Sequence, residues 1–194
     1  QDKVMEVQQA WYVPFLRYWP HVSGILGALV VVVIALALWP DSKPLGTMGS
    51  EKDGSDLALN LKRVERVPRG KTIEMEFTEG SINAFFQHVK KDPKVKSVTV
   101  SIGQGFFKVR IVKPFLYVGF IKWDSSTDLL CVPYASQIGI SKVTYGHLKM
   151  SGPLKKKVLR KAIGMFASQP EWKCFKNVNE YRAEPGKIIV KASN

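Results

Sequence analysis

The sequence predicts an α+β protein: one N-terminal transmembrane helix, then a curved antiparallel β-meander packed on two amphipathic helices. Three observations predict it. An uncharged run of eighteen residues, Val22–Trp39, contains eleven Leu, Ile or Val. From residue 71 onward, apolar residues repeat with period two in one segment after another, as half-buried strands require. Two stretches near residues 79–89 and 153–167 switch to the i, i+3, i+4 spacing of a helix with one apolar face.

The apolar run comes first in the chain. On the insertion scale its eleven aliphatic residues contribute about −3 to −7 kcal/mol, and the run exceeds the ~7–15 residues of a signal-peptide core. A span over residues 20–40 is therefore expected. Trp19 and Trp39 bracket it, roughly 30 Å apart at 1.5 Å per helical residue, which places both rings at the membrane–water interfaces. Pro20 suits a first helical turn and Pro40 stops the helix. Residues 1–19 form an aromatic interfacial tail, in which Trp11, Tyr12, Phe15 and Tyr18 are candidate contacts to a partner within the membrane. His21 at the boundary reads as an interfacial polar residue. The start at Gln1 rather than Met leads us to expect residues upstream of it.

Residues 41–58, rich in Gly, Ser and Asp without a period, read as a flexible linker. The basic globular domain then occupies 59–194. The formal charge is +13, and the first forty residues cancel to zero, so the whole excess lies beyond residue 40. Such a balance favours anionic partners, membrane headgroups among them. Basic residues flank the span equally, Lys3 and Arg17 before it and Lys43 and Lys52 after it. Asp41 set against Arg17 tips the orientation toward a cytoplasmic N-terminus and a periplasmic or extracytoplasmic domain.

Within the domain, Ile73, Met75 and Phe77 mark a first strand, and Thr78 caps a helix whose apolar face is Ile82, Phe85, Phe86 and Val89. Val98, Val100 and Ile102 and then Phe107, Val109 and Ile111 form a hairpin about the GQG turn at 103–105. No helix follows that turn, so it is not a phosphate-binding loop. Strands are expected at 115–123 (FLYVGFIKW), 128–134, 137–145 and 147–150. In the helix 153–167, Leu154, Val158, Leu159, Ala162, Ile163 and Phe166 share one side, while Lys156, Lys157, Arg160 and Lys161 share the other. The cations are either a solvated face or a surface for anionic lipid or an acidic partner. A last hairpin turns at Ala183–Gly186.

No catalytic motif emerges. His21, His88 and His147 lack ligand or triad spacing, and the acidic residues form no dyad. Neither an enzyme nor a metal or cofactor site is expected, and nothing organises the Lys and Arg residues for nucleic acid. Cys131 and Cys174 have no CxxC spacing; they are either two buried thiols or one disulfide.

The order of anchor, linker, strand, a helix opening with TEGSIN, meander, the IGIS segment leading into GPLKKKVLRKAI, and a hairpin with EPGKIIV resembles bacterial single-pass envelope proteins of the YpmS-like and LmeA-like kind over residues ~70–191. That resemblance implies a curved sheet wrapped on a helix, lipid binding in some members, and no catalytic residue. The aromatic tail and the stronger basic charge depart from it. Two functions are expected in consequence. One is a non-catalytic accessory subunit of a larger membrane complex, held by the tail and braced by the basic domain. The other is a membrane-tethered carrier of lipid or another hydrophobic ligand, suggested by the near-continuous apolar FLYVGFIKW strand.

Overall fold

The computed structural model describes residues 21–41, 43–89, 93–118, 121–167 and 177–193. The chain divides into two compact units, Gln1–Leu38 and Trp39–Asn194.

In the first unit, residues 21–37 form a helix, α1, closed by the Leu38 N–H donating to the Ile34 carbonyl. Among the described residues no helix is long and apolar enough to cross a membrane. The expected span begins at residue 20, outside the described part.

The second unit is mixed α+β with two antiparallel sheets. β2 (Ser97–Gly103), β3 (Phe106–Val118), β4 (Ile121–Tyr134), β5 (Gln137–Tyr145) and β6 (Leu148–Lys149) form a five-stranded meander in chain order. β1 (Thr72–Thr78), β7 (Val178–Glu184) and β8 (Lys187–Ser193) form a separate three-stranded sheet in the order β1-β8-β7. Pairing of β1 with β8 joins residues more than a hundred positions apart, Ile73 opposite Ala192 and Phe77 opposite Ile188. The sheets meet through their turns: the Gly105 N–H donates to the Ala183 carbonyl and the Gly186 N–H to the Ile102 carbonyl.

The segment read as a flexible linker is ordered. Residues 43–50 lie against the domain, and Glu51–Glu65 form α2. The Ser50 hydroxyl accepts from the Asp53 N–H while the Asp53 carboxylate accepts from the Ser50 N–H, a reciprocal cap that satisfies two helix-end donors. Those bonds from Ser50 hold the Asp53 carboxyl below its usual range. Gly54, which looked like a loop residue, is where α2 touches the next helix; a Cβ there would stand 2.8 Å from the Ala84 carbonyl carbon. Leu57 and Val64 are buried on the same face.

α3 (Glu79–Ala84) is capped by Thr78, whose hydroxyl accepts from the Ser81 N–H. It continues as a π-helical turn, Phe85–Val89. That wider turn corrects the expected apolar face. Phe85 is buried and Phe86 half-buried, but Val89 is exposed, because a π turn carries one extra residue and rotates the positions after it around the axis.

FLYVGFIKW is not one strand. β3 runs through Pro114 to Val118 and β4 returns from Ile121, with Leu116 opposite Trp123. The register shifts between Pro114 and Leu116, where proline withholds a ladder donor. α4 (Gly152–Ala167) matches the expected helix, yet its face is loosely covered. Ala162 is buried and Val158 and Leu159 are half-buried, whereas Leu154 is 62% and Ile163 45% exposed.

The core has two clusters. Leu57, Val64, Phe77, Phe85, Tyr181 and Val190 pack between α2 and the small sheet. Val100, Phe107, Ile111, Leu129, Cys131 and Val143 pack on the meander with Ala162 of α4. Ile82 and Ile188 touch both clusters.

Candidate functional site

Between the clusters lies an apolar cavity of about 330 Å³. Phe77, Phe85, Phe107, Leu129, Ile140 and Val190 line it, drawn from β1, the π turn, β3, β4, β5 and β8. Each reaches it through the same periodicities that build the fold: alternate strand positions face inward, and Ile82 and Phe85 stand one turn apart on α3 and its extension. Ile138 and Ile163 also line it while remaining 38% and 45% exposed, so the cavity meets the surface between β5 and α4. It is about twice the ~150 Å³ of an apolar cavity that stays dry and admits a benzene ring, and at the lower end of ordinary ligand pockets.

The Cys131 thiol lies in the wall of this cavity and is buried; loss of solvent pushes its pKa up to about 12. Cys174 lies outside the described residues.

α4 presents Lys156, Lys157, Arg160 and Lys161 on its surface, all four as exposed side chains. Arg160 is one turn from Ile163, so the basic face borders the cavity mouth. Lys155 instead turns back, donating to the Ser141 carbonyl at 3.1 Å and the Ile140 carbonyl at 3.4 Å, and pins α4 to β5.

A second constellation is polar and holds residues 41–50 in place. Asn83, fully buried, donates to the carbonyls of Thr47 (2.7 Å), Val100 (3.0 Å) and Leu45 (3.2 Å) and accepts from the Val100 N–H (2.6 Å). The buried Glu79 carboxylate accepts from the N–H groups of Thr47 and Ile102 and from the Thr47 hydroxyl. Gly46 passes so close, at φ +65°, that a Cβ would collide with that carboxylate. Arg110, 3% exposed, grips Asp128 with both arms at 2.7 and 2.8 Å, pairs with Asp41 at 2.8 Å, and donates to the Lys43 carbonyl at 2.9 Å. Burial pushes the Asp128 carboxyl upward, but the bonds and charges of Arg110 and Lys108 outweigh it and leave that carboxyl below its ordinary range. The bond to Asp128 in turn raises the Arg110 guanidinium. These bonds tie residues 41–50 to α3, β2, β3 and β4.

Trp39 is exposed, and its ring stands 5.6 Å from that of Trp123. Trp11, Tyr12, Phe15, Tyr18 and Trp19 lie outside the described residues. His21, His88 and His147 are exposed, and among the described residues no group of three His, Cys, Asp or Glu side chains could hold a metal ion.

No protein-family model, curated protein or solved structure gives a significant match to this chain. The likeness to the YpmS-like and LmeA-like envelope proteins rests on cap and turn motifs alone.

Proposed function

We propose that the chain is a membrane-anchored binding protein for a hydrophobic ligand, held by a span over residues 20–40. The observation that carries this reading is the apolar cavity between the two core clusters. A void of this size forfeits packing contacts that a filled core would make, and such a site is most simply explained by a molecule that fills it. With Lys156, Lys157, Arg160 and Lys161 beside the mouth, the fitting ligand is an anionic amphiphile: one acyl chain or similar apolar body inside, the charged head at the helix. The reaction is binding, without bond making or breaking.

The test is purification of the full chain in mild detergent, followed by solvent extraction and mass spectrometry. Co-purified lipid, displaced by a fluorescent fatty-acid probe, is the expected result. A lipid-free chain that ignores the probe and co-migrates with other membrane subunits would restore the accessory-subunit reading instead.

The domain is proposed to lie outside the cytoplasm, on the Arg17 and Asp41 asymmetry. An Asp56→Cys variant, with Cys174 replaced by Ser, should react with an impermeant maleimide in intact cells. Reaction only after lysis would reverse the orientation.

A further inference from the structure

The β3–β4 hairpin runs past both of its neighbours. β2 pairs with β3 only as far as Val112, and β5 meets β4 only from Thr127. Beyond those points, among the described residues, β3 and β4 pair only with each other, from Lys113 opposite Ser125 to Val118 opposite Ile121. The sequence of this ribbon, FLYVGFIKW over 115–123, carries one charge in nine positions. A two-stranded ribbon of apolar sequence is a liability in water, and proteins usually blunt it with charge or cover it.

Phe115 is the residue skipped by the register shift and is 58% exposed; a bulge of this kind re-aims a side chain out of the ladder. Trp123, at the base of the ribbon, stacks at a tilt against Trp39, itself 56% exposed. Trp39 is the last residue of the apolar run. Two residues later the Asp41 N–H donates to the Ser126 hydroxyl and its carboxylate pairs with Arg110, so chain leaving the apolar run is fastened to β3 and β4 at once.

We propose that the β3–β4 ribbon rests in the headgroup layer of the bilayer that residues 20–40 cross, with Trp39, Phe115 and Trp123 as the interfacial contact. The proposal rests on the span reading. If the run crosses the bilayer, Trp39 sits at the hydrocarbon edge, where tryptophan is favoured. Trp123 then shares that depth, because the two rings touch. From Trp123 to Ile121, where the ladder ends, the ribbon runs two residues, roughly 7 Å at 3.3 Å per residue, matching the ~5–10 Å to which interfacial elements sink.

Full-length protein reconstituted in vesicles of phosphatidylcholine and phosphatidylglycerol tests this through tryptophan emission. The Trp123 contribution is the wild-type signal minus that of a Trp123→Phe variant. Lipids brominated near the glycerol end of the acyl chains should remove at least half of it, and iodide on both sides of the membrane should leave it largely intact. A Phe115→Trp variant, changed at an exposed position, should gain emission with the same response. Quenching by iodide but not by bromolipid at both positions, or shielding from both quenchers by a protein partner, overturns the proposal while the span stands. Release of the chain by alkaline carbonate overturns the span reading, and this proposal with it.

Discussion

The polar cluster around Asn83, Glu79 and Arg110 and the apolar cavity a few residues away are built from the same strands in opposite ways. Val100 belongs to both: its N–H and carbonyl bind Asn83, and its side chain lines the cavity. In the polar cluster the Asn83 amide, the Glu79 carboxylate and the Arg110 guanidinium each meet several fixed partners, which narrows the arrangements allowed. The cavity wall asks only for apolar surface and leaves the volume unfilled. Buried polar groups specify geometry because an unmatched one is costly, whereas apolar groups tolerate a gap at a smaller cost per atom. The fold thus places its specificity in fastening residues 41–50 and keeps its tolerance for the cavity.

The largest effect that would break this contrast is expected at Arg110. Arg110→Met leaves Asp128 buried with only Lys108 opposite it, and should destabilise the domain by about 3 kcal/mol in urea unfolding, since a buried pair that loses one member is worse than none. Adding Asp128→Leu should recover much of that loss; failure to recover it would mean the two residues do not act as a pair. The same pair sets a pH dependence. Because the folded Asp128 pKa lies below the unfolded one, its contribution is fully present above about pH 5, beyond the ordinary aspartate range. It is lost as pH falls through the folded value, and an Asp128→Asn variant should show a flatter acid limb in a series of urea midpoints.

Next comes Asn83→Ala, which strips partners from three carbonyls and one N–H; a loss of about 2–3 kcal/mol is expected, measured as a lower thermal midpoint. The cavity should behave differently. Val109→Phe places a ring where there is now space, so stability should stay within about 1 kcal/mol while binding of a fatty-acid probe is abolished. Were this variant to lose as much stability as Asn83→Ala, the cavity would be as tightly specified as the polar cluster. The smallest effect is expected on α4: reversing Lys156, Lys157, Arg160 and Lys161 to Glu should move stability by no more than about 0.5 kcal/mol, yet weaken association with anionic vesicles at low salt.

Where the sequence is legible, a single local signal is sufficient. Alternation marks β1, the β2–β3 hairpin and the last hairpin, and the Thr78 cap announces α3. α2 is hidden because Gly54 and the surrounding charges outweigh the Leu57, Leu61 and Val64 stripe, and because a linker boundary at residue 58 cuts that stripe in two. The signal that marks it is Ser50 three residues before Asp53, a capping pair with Asp in place of the commoner Glu. In FLYVGFIKW the unbroken hydrophobicity hides a reversal that Gly119 and the neighbouring Pro114 both hint at. The cavity cannot be read at all, since its wall comes from eleven elements, the π turn included, across more than a hundred residues, and a void leaves no mark on local pattern. Glu79 is visible only as a favourable charge in a first helical turn; its task of receiving the Thr47 N–H depends on a contact 32 positions away.

The Cys131 thiol gives the cavity a clock. With burial pushing its pKa up to about 12, the reactive thiolate is scarce at neutral pH. Alkylating reagents therefore meet a slow target in the folded chain, and the wait before Cys131 is modified reports how well the cavity wall shields it. A ligand lodged against Leu129 and Ile140 would lengthen that wait.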